Sequence, residues 1–278
     1  MVARGAPFTR WHRGGSGTPL VAIHGFTDTW RCWELILPAL ERQHDVLAPT
    51  LAGHAGGPAL PEPLTDTSLV ESVEAAMDEA GFERAHIVGN SLGGFVALQL
   101  AARGRAESVV AFAPAGGWAE GNRSHRATLA HFGIMLDGLA LALPALDSLL
   151  ATKAGRRAAT QYSTEAFEHI PAELIAHQAV GAVGCGGART LIRQAIDNGW
   201  RLDDAESSCP VRVVWGASDR LLPWPDAAVK FRDGLLAGAD WVVLEGVGHC
   251  PQLDVPDVAA SLILEFTASS RASRRRPP

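Results

Sequence analysis

Gly89-Asn90-Ser91-Leu92-Gly93 constrains this chain more than any other stretch. It follows Ala85-His86-Ile87-Val88, an apolar run that reads as a buried strand, and it precedes Phe95–Arg103, which reads as a helix. Glycines two positions either side of a serine, between strand and helix, specify a sharp turn. Such a turn holds the serine in a strained conformation and projects its hydroxyl above the sheet. Larger side chains at 89 and 93 would collide with the neighbouring strand and helix. The helix that follows aims its positive end at Ser91, where negative charge develops during acyl transfer. An ordinary strand–turn–helix junction can carry the same glycines, so a catalytic reading needs a base, an acid and an oxyanion donor elsewhere.

Of ten histidines, His249 is the best candidate base. It lies in Gly246-Val247-Gly248-His249-Cys250-Pro251, directly after the strand-like Trp241-Val242-Val243-Leu244. A loop histidine alone is ordinarily a solvent-exposed bystander; only the pairing with Ser91 makes this one notable. Asp219 is the candidate acid, in the exit loop Gly216-Ala217-Ser218-Asp219 after the strand-like Val211–Trp215. Its plainer alternative is a turn aspartate bonded to its own backbone. The exit of the strand-like Ser108–Phe112, Ala113-Pro114-Ala115-Gly116, offers no carboxylate, which leaves Asp219. Imidazole can take a serine proton near neutral pH and return it to a leaving group. A carboxylate would fix the imidazole tautomer.

A fourth motif closes the strand-like Pro19–Ile23: His24-Gly25-Phe26-Thr27. With the elbow and the chain order Ser91, Asp219, His249, the sequence resembles the α/β-hydrolase superfamily, over roughly residues 19–266. Asp45–Thr50 followed by Leu51-Ala52-Gly53-His54 adds to the likeness, although the loop departs from the commoner form with an acidic residue before a proline. The resemblance implies an α/β fold: a mostly parallel central sheet with helices on both faces and an inserted helical cap. It implies an oxyanion hole made by the backbone N–H groups of Phe26 and Leu92. It also implies that His24 supports the loop.

Strand-like and helix-like segments alternate as a doubly covered parallel sheet requires. Trp30–Arg42 reads as the first crossover helix and Ser68–Ala80 as the second, with Ser68 and Glu71 as a capping box. No good strand appears between Gly116 and Asn198. That region reads as helices at 126–143, 144–157, 165–168, 173–182 and 188–197. The expected organisation is a core at 1–115, a helical cap at 116–198, the rest of the core at 199–268 and a basic flexible tail at 269–278. Apolar cap residues such as Phe132, Met135 and Leu139 mostly pack the cap, and some line a pocket favouring apolar substrate groups.

At 278 residues and a formal net charge of −6, the chain suits one large domain and argues against nucleic-acid binding. No apolar signal stretch opens it, and residues 134–151 are interrupted by Asp137, Pro144 and Asp147, so no membrane span is expected. Cys32, Cys185, Cys209 and Cys250 lack metal-ligand spacing and read as reduced thiols of a cytoplasmic protein. No H-E-x-x-H, Walker or G-x-G-x-x-G pattern occurs, so neither a metal nor a cofactor is expected.

The expected activity is a serine hydrolase cleaving a carboxylic ester or similar acyl compound. Family members that hydrolyse carbon–carbon bonds of ring-cleavage products share a Gly-Asn-Ser elbow, which Asn90 matches, but they commonly carry tryptophan where Cys250 stands. A small-molecule receptor on the same scaffold is a further alternative.

Overall fold

A computed structural model describes residues 7–118, 124–197 and 209–274. Seven strands form one sheet: β1 (Trp11–Gly15), β2 (Thr18–Ile23), β3 (His44–Pro49), β4 (Ala85–Asn90), β5 (Ala106–Phe112), β6 (Val211–Gly216) and β7 (Asp240–Leu244). Their spatial order is β1-β3-β2-β4-β5-β6-β7. Only β1 runs antiparallel, pairing with β3 at the edge. Sequence pattern does not announce β1: Trp11-His12-Arg13-Gly14-Gly15 is polar and glycine-rich, and an edge strand covered on one side needs no apolar run.

The period of two explains both faces of the sheet. Odd positions in the central strands, Val21, Ile23, Ile87, Val109, Ala111, Val213 and Trp215, pack with α2 (Ser68–Glu79) and α3 (Leu92–Ala102). Even positions, Leu20, Ala22, Val88, Val110, Phe112 and Val214, face Trp33, Ile36, Leu40 and the C-terminal helix. Strands buried on both faces therefore read as continuous apolar runs, as Leu20–Ile23 and Val109–Phe112 do.

The crossover at 30–42 departs from the expected single helix. It is a 3-10 turn at Trp30–Trp33 followed by the short α1 (Leu37–Leu40). Pro38 has no N–H to continue an earlier helix and sits instead in the first turn of a new one. The capping box at Ser68 is also corrected. Thr67 is the N-cap of α2 and its hydroxyl donates to Glu71 at 2.7 Å. The Ser68 hydroxyl instead accepts from the Thr65 N–H at 2.9 Å.

Between β5 and β6 the described chain is helical: α4 (Ser124–Ala142), a 3-10 turn at Leu143–Ala145, α5 (Leu146–Leu150), α6 (Lys153–Thr160), α7 (Ala172–Val183) and α8 (Ala188–Asp197). Residues 165–168 are not helical; the Asp254 carboxylate takes the Glu165 and Ala166 N–H groups out of any helical ladder. The run His125–Leu150 is long and apolar enough to cross a membrane by length and composition alone, despite the interruptions noted above. Here several of its residues line a cavity over the sheet. The end of the sheet leads to α9 (Pro251–Asp254) and α10 (Pro256–Arg274). The expected tail from 269 is thus corrected: the helix continues to Arg274, because Ala268 to Arg274 contains no glycine or proline to stop it. Residues 275–278 lie outside the described chain.

Candidate active site

Every parallel strand ends at the same edge of the sheet, and loops there are where open α/β sheets collect ligand-binding groups. Ser91 follows β4, His24–Asp28 follows β2, Asp219 follows β6 and His249 follows β7. Four segments far apart in sequence therefore meet.

Ser91 is the N-cap of α3, with φ 56° and ψ −115°. An L side chain rarely adopts this region, and holding it there costs on the order of 1–3 kcal/mol. The surroundings enforce it. A Cβ on Gly89 would run into the carbonyl of Gly93, and a Cβ on Gly93 would run into the carbonyl of Ile23. The backbone N–H of Ser91 donates to Phe112 O at 2.8 Å, and its carbonyl accepts from Phe95 N at 3.1 Å and Ala115 N at 3.0 Å. Among the described residues two further non-glycine residues have positive φ, Thr27 (65°) and Ala113 (40°). Both lie in loops bordering Ser91, so the backbone strain is concentrated at this edge.

Asp219 and His249 are brought together. His249 Nδ1 lies 2.7 Å from Asp219 Oδ2. The other oxygen, Asp219 Oδ1, accepts from the N–H groups of Leu221 and Leu222, each at 2.8 Å. The carboxylate is thus the acceptor, so Nδ1 carries the proton and Nε2 is left as a lone-pair base. Gly216 permits this approach, since a Cβ there would strike the Val247 and Gly248 carbonyls. Both side chains are buried, and His249 borders the same cavity as Ser91.

Asn90 and Asp254 contribute in ways sequence reasoning missed. Asn90 Nδ2 donates to the carbonyls of His249 (3.0 Å) and Phe112 (3.2 Å). Asn90 Oδ1 accepts from Gln252 Nε2 at 3.2 Å and from the Cys250 thiol at 3.4 Å. The residue before the serine therefore ties the histidine loop to the elbow. The Asp254 carboxylate accepts from Gly248 N (2.6 Å), Glu165 N (2.9 Å) and Ala166 N (2.6 Å), joining the histidine loop to the helical insertion. Asn90 stands inside the elbow motif, which is the sequence signal for its position; nothing in the sequence marks Asp254. Burial, with the Asp28, Asp219 and Asp254 carboxylates nearby, raises the Cys250 thiol well above its ordinary value, so it is no thiolate nucleophile.

Phe26, Ser91 and Leu92 line one small cavity. Leu92 opens α3, where backbone N–H groups lack intrahelical partners. Gly25 keeps the β2 loop close: a Cβ there would sit 3.3 Å from Ser91 Cβ. His24 is buried inside this loop. Its Nε2 accepts from Leu51 N–H at 2.9 Å, so its proton is on Nδ1 and is donated to Gly25 O at 2.7 Å. Burial, and the neighbouring His54, hold His24 well below the ordinary histidine range. A neutral, doubly bonded ring shapes the loop and has no free nitrogen for catalysis.

A cavity of about 380 Å³ opens over Ser91, walled by the β2 loop and by α4 to α7. Met135, Leu139, Leu146, Leu150, Ile175 and Ala179 give it an apolar lining. A second cavity of about 30 Å³ shares Phe26, Ser91 and Phe132 with it and adds Leu92, Trp118 and Leu222. Phe26 and Phe132 pack edge to face, with centroids 5.1 Å apart, at this shared boundary.

Comparison with known proteins places the family and the fold. A family model described as "Alpha/beta hydrolase family" matches residues 20–262. An epoxide hydrolase, EphH of Mycobacterium tuberculosis, is 32% identical over 203 residues, covering 73% of this chain and 95% of the relative. Among solved structures, a membrane phospholipase A superposes with a TM-score of 0.73 at 22% identity, covering 94% of this chain and 82% of that one. A meta-cleavage product hydrolase of Pseudomonas fluorescens, CumD, gives a TM-score of 0.68 at 22% identity, covering 94% of each chain. At such identities the two structures speak for the fold.

Proposed function

The chain belongs to the alpha/beta hydrolase family, and from that premise we propose that it is a serine hydrolase acting on carboxylic esters with one large apolar group. The observation that carries this reading is the Asp219–His249 hydrogen bond of 2.7 Å beside a cavity that also exposes the strained Ser91. In the proposed cycle His249 Nε2 takes the Ser91 hydroxyl proton as Oγ attacks the carbonyl carbon. The oxyanion accepts from the N–H groups of Phe26 and Leu92. Collapse expels the alcohol, which leaves with the proton from His249, and an acyl-Ser91 ester remains. Water then attacks with His249 again as base, releasing the acid and restoring Ser91. Asp219 holds the Nδ1–H tautomer throughout.

The helices between β5 and β6, residues 116–198 in the proposed organisation, act as the cap that shapes the pocket. The 380 Å³ cavity would receive the large apolar group, and the 30 Å³ cavity a group of about methyl size.

Chemistry separates this reading from that of the mycobacterial relative. Epoxide opening by an aspartate leaves an ester that water can hydrolyse. Opening by a serine would leave an ether, which a histidine base cannot cleave. Ser91 therefore favours acyl transfer. Asn90 favours a second reading, hydrolysis of a carbon–carbon bond in a ring-cleavage product, because hydrolases of that class share the Gly-Asn-Ser elbow.

Initial rates on p-nitrophenyl esters of increasing acyl length, beside Ser91→Ala, test the proposal. Turnover that depends on Ser91 supports it. Poor ester turnover with serine-dependent bleaching of a dienoic ring-fission product would transfer the assignment to carbon–carbon hydrolysis. Ester turnover retained in full by Ser91→Ala would refute both.

A further inference from the structure

Asp28 is a carboxylate without a cation inside the reaction cavity. It lies three residues beyond Gly25, in the loop after β2, and lines the cavity that Ser91 and His249 share. Its Oδ1 accepts from the Thr29 N–H at 2.7 Å and its Oδ2 from Gln178 Nε2 at 2.7 Å. Gln178 comes from α7 of the helical insertion and also lines the cavity. Among the described lining residues Asp28 is the one carboxylate, and none is lysine or arginine.

A carboxylate can accept about four hydrogen bonds, and two are made here. Neither partner is charged. Burial pushes the Asp28 carboxyl up to about 6, against the opposing hydrogen bonds from Thr29 and Gln178. At neutral pH it is therefore mostly ionised, facing an apolar space with acceptor capacity unused. Apolar pockets commonly take their orientation specificity from such sparse polar groups. Loop geometry alone accounts for the Thr29 contact. It does not account for an acidic side chain turned to a cavity and held from the far side by the insertion.

We propose that Asp28, positioned by Gln178, is a specificity site that binds a hydrogen-bond donor, a hydroxyl or a protonated amine, carried on the apolar group of the substrate. This refines the esterase reading: the preferred substrate is an ester whose long apolar chain bears a donor at the depth of Asp28, not a plain alkyl ester. The recognised group gains a charge-assisted hydrogen bond out of water, while a chain ending in methyl leaves the carboxylate unpaired.

Two linked measurements test this. The first compares kcat/KM for p-nitrophenyl esters of matched chain length ending in methyl, hydroxyl or ammonium, in the wild type, Asp28→Asn and Asp28→Leu. The expected result is a donor-to-methyl ratio of tenfold or more at one chain length in the wild type, reversed in Asp28→Leu. An ammonium ester should also gain kcat/KM relative to the hydroxyl ester as pH rises through about 6, and Asp28→Asn should abolish that gain.

The second measurement uses binding alone, so that it stands even if ester turnover fails. Thermal shifts of Ser91→Ala with hexan-1-ol, hexylammonium and hexyl methyl ether are compared with those of Ser91→Ala/Asp28→Leu. At least one donor should stabilise the first variant more than the ether does, and the advantage should vanish in the second. Equal shifts for donors and ether, or shifts indifferent to Asp28, would overturn the proposal whether or not the protein is an esterase.

Discussion

Asp219 is held in place through both of its oxygens. One oxygen holds His249 and the other holds the backbone of its own loop through Leu221 and Leu222. Asp219→Asn keeps the size and leaves the loop contacts available, but an amide can present its NH₂ to Nδ1 and favour the opposite tautomer. A fall of about 10²–10⁴ in kcat, with KM little changed and the fold intact, is the expected outcome in steady-state kinetics and circular dichroism. Unchanged kcat would remove Asp219 from the mechanism. The sequence made this residue readable because each motif sat at a strand end and because glycine was sterically required at 89, 93 and 216. It did not make Asp28 readable. An aspartate three residues past a Gly in a loop has no pattern, and its partner Gln178 is 150 residues away.

Asp254 decides how the elements around the site are coupled. Three backbone N–H groups from two segments converge on its buried carboxylate, and Cys250 N–H donates to Ser163 O at 2.8 Å nearby. The histidine loop and the insertion are therefore one unit at this seam. Asp254→Ala leaves those donors without their acceptor and should cost about 2–4 kcal/mol in urea unfolding. It should also lower kcat more than a surface control such as Glu83→Ala, because His249 loses its anchor one residue away. Wild-type stability in Asp254→Ala would mean that the seam contributes nothing. At this scale β2, β4, β5 and β6 were legible from their apolar runs. The edge strand β1 was not, since half-covered strands need no such run. The broken crossover at 30–42 was obscured because its apolar spacing suits a helix that Pro38 interrupts.

Across the whole molecule, buried neutral histidines link folding to pH. Burial lowers His54 to about 4 and His177 to about 4, and holds His24 well below 6.5. In the unfolded chain these rings take up protons near pH 6.5, whereas in the folded state His54 and His177 resist until about pH 4 and His24 also resists well below 6.5. Stability is therefore full above pH 6.5 and falls as pH drops toward 4, by on the order of 3 kcal/mol from buried His54 alone. Asp28, raised to about 6, works the other way: its folded form holds a proton more tightly, so it regains stability as pH falls from about 6 to 4. Three histidines outweigh one carboxyl, and the melting temperature should decline between pH 6.5 and 4.5. A flat profile across that window would contradict the buried, neutral assignment of these rings.

Ser91 as the nucleophile underlies every step of the proposed cycle. The most direct measurement is intact-protein mass spectrometry, with peptide mapping, after brief exposure to an alkyl fluorophosphonate. The expected result is one adduct per chain, located on Ser91, formed slowly in His249→Ala and absent from Ser91→Ala. No adduct on folded protein, or an adduct that maps elsewhere and survives Ser91→Ala, would contradict it.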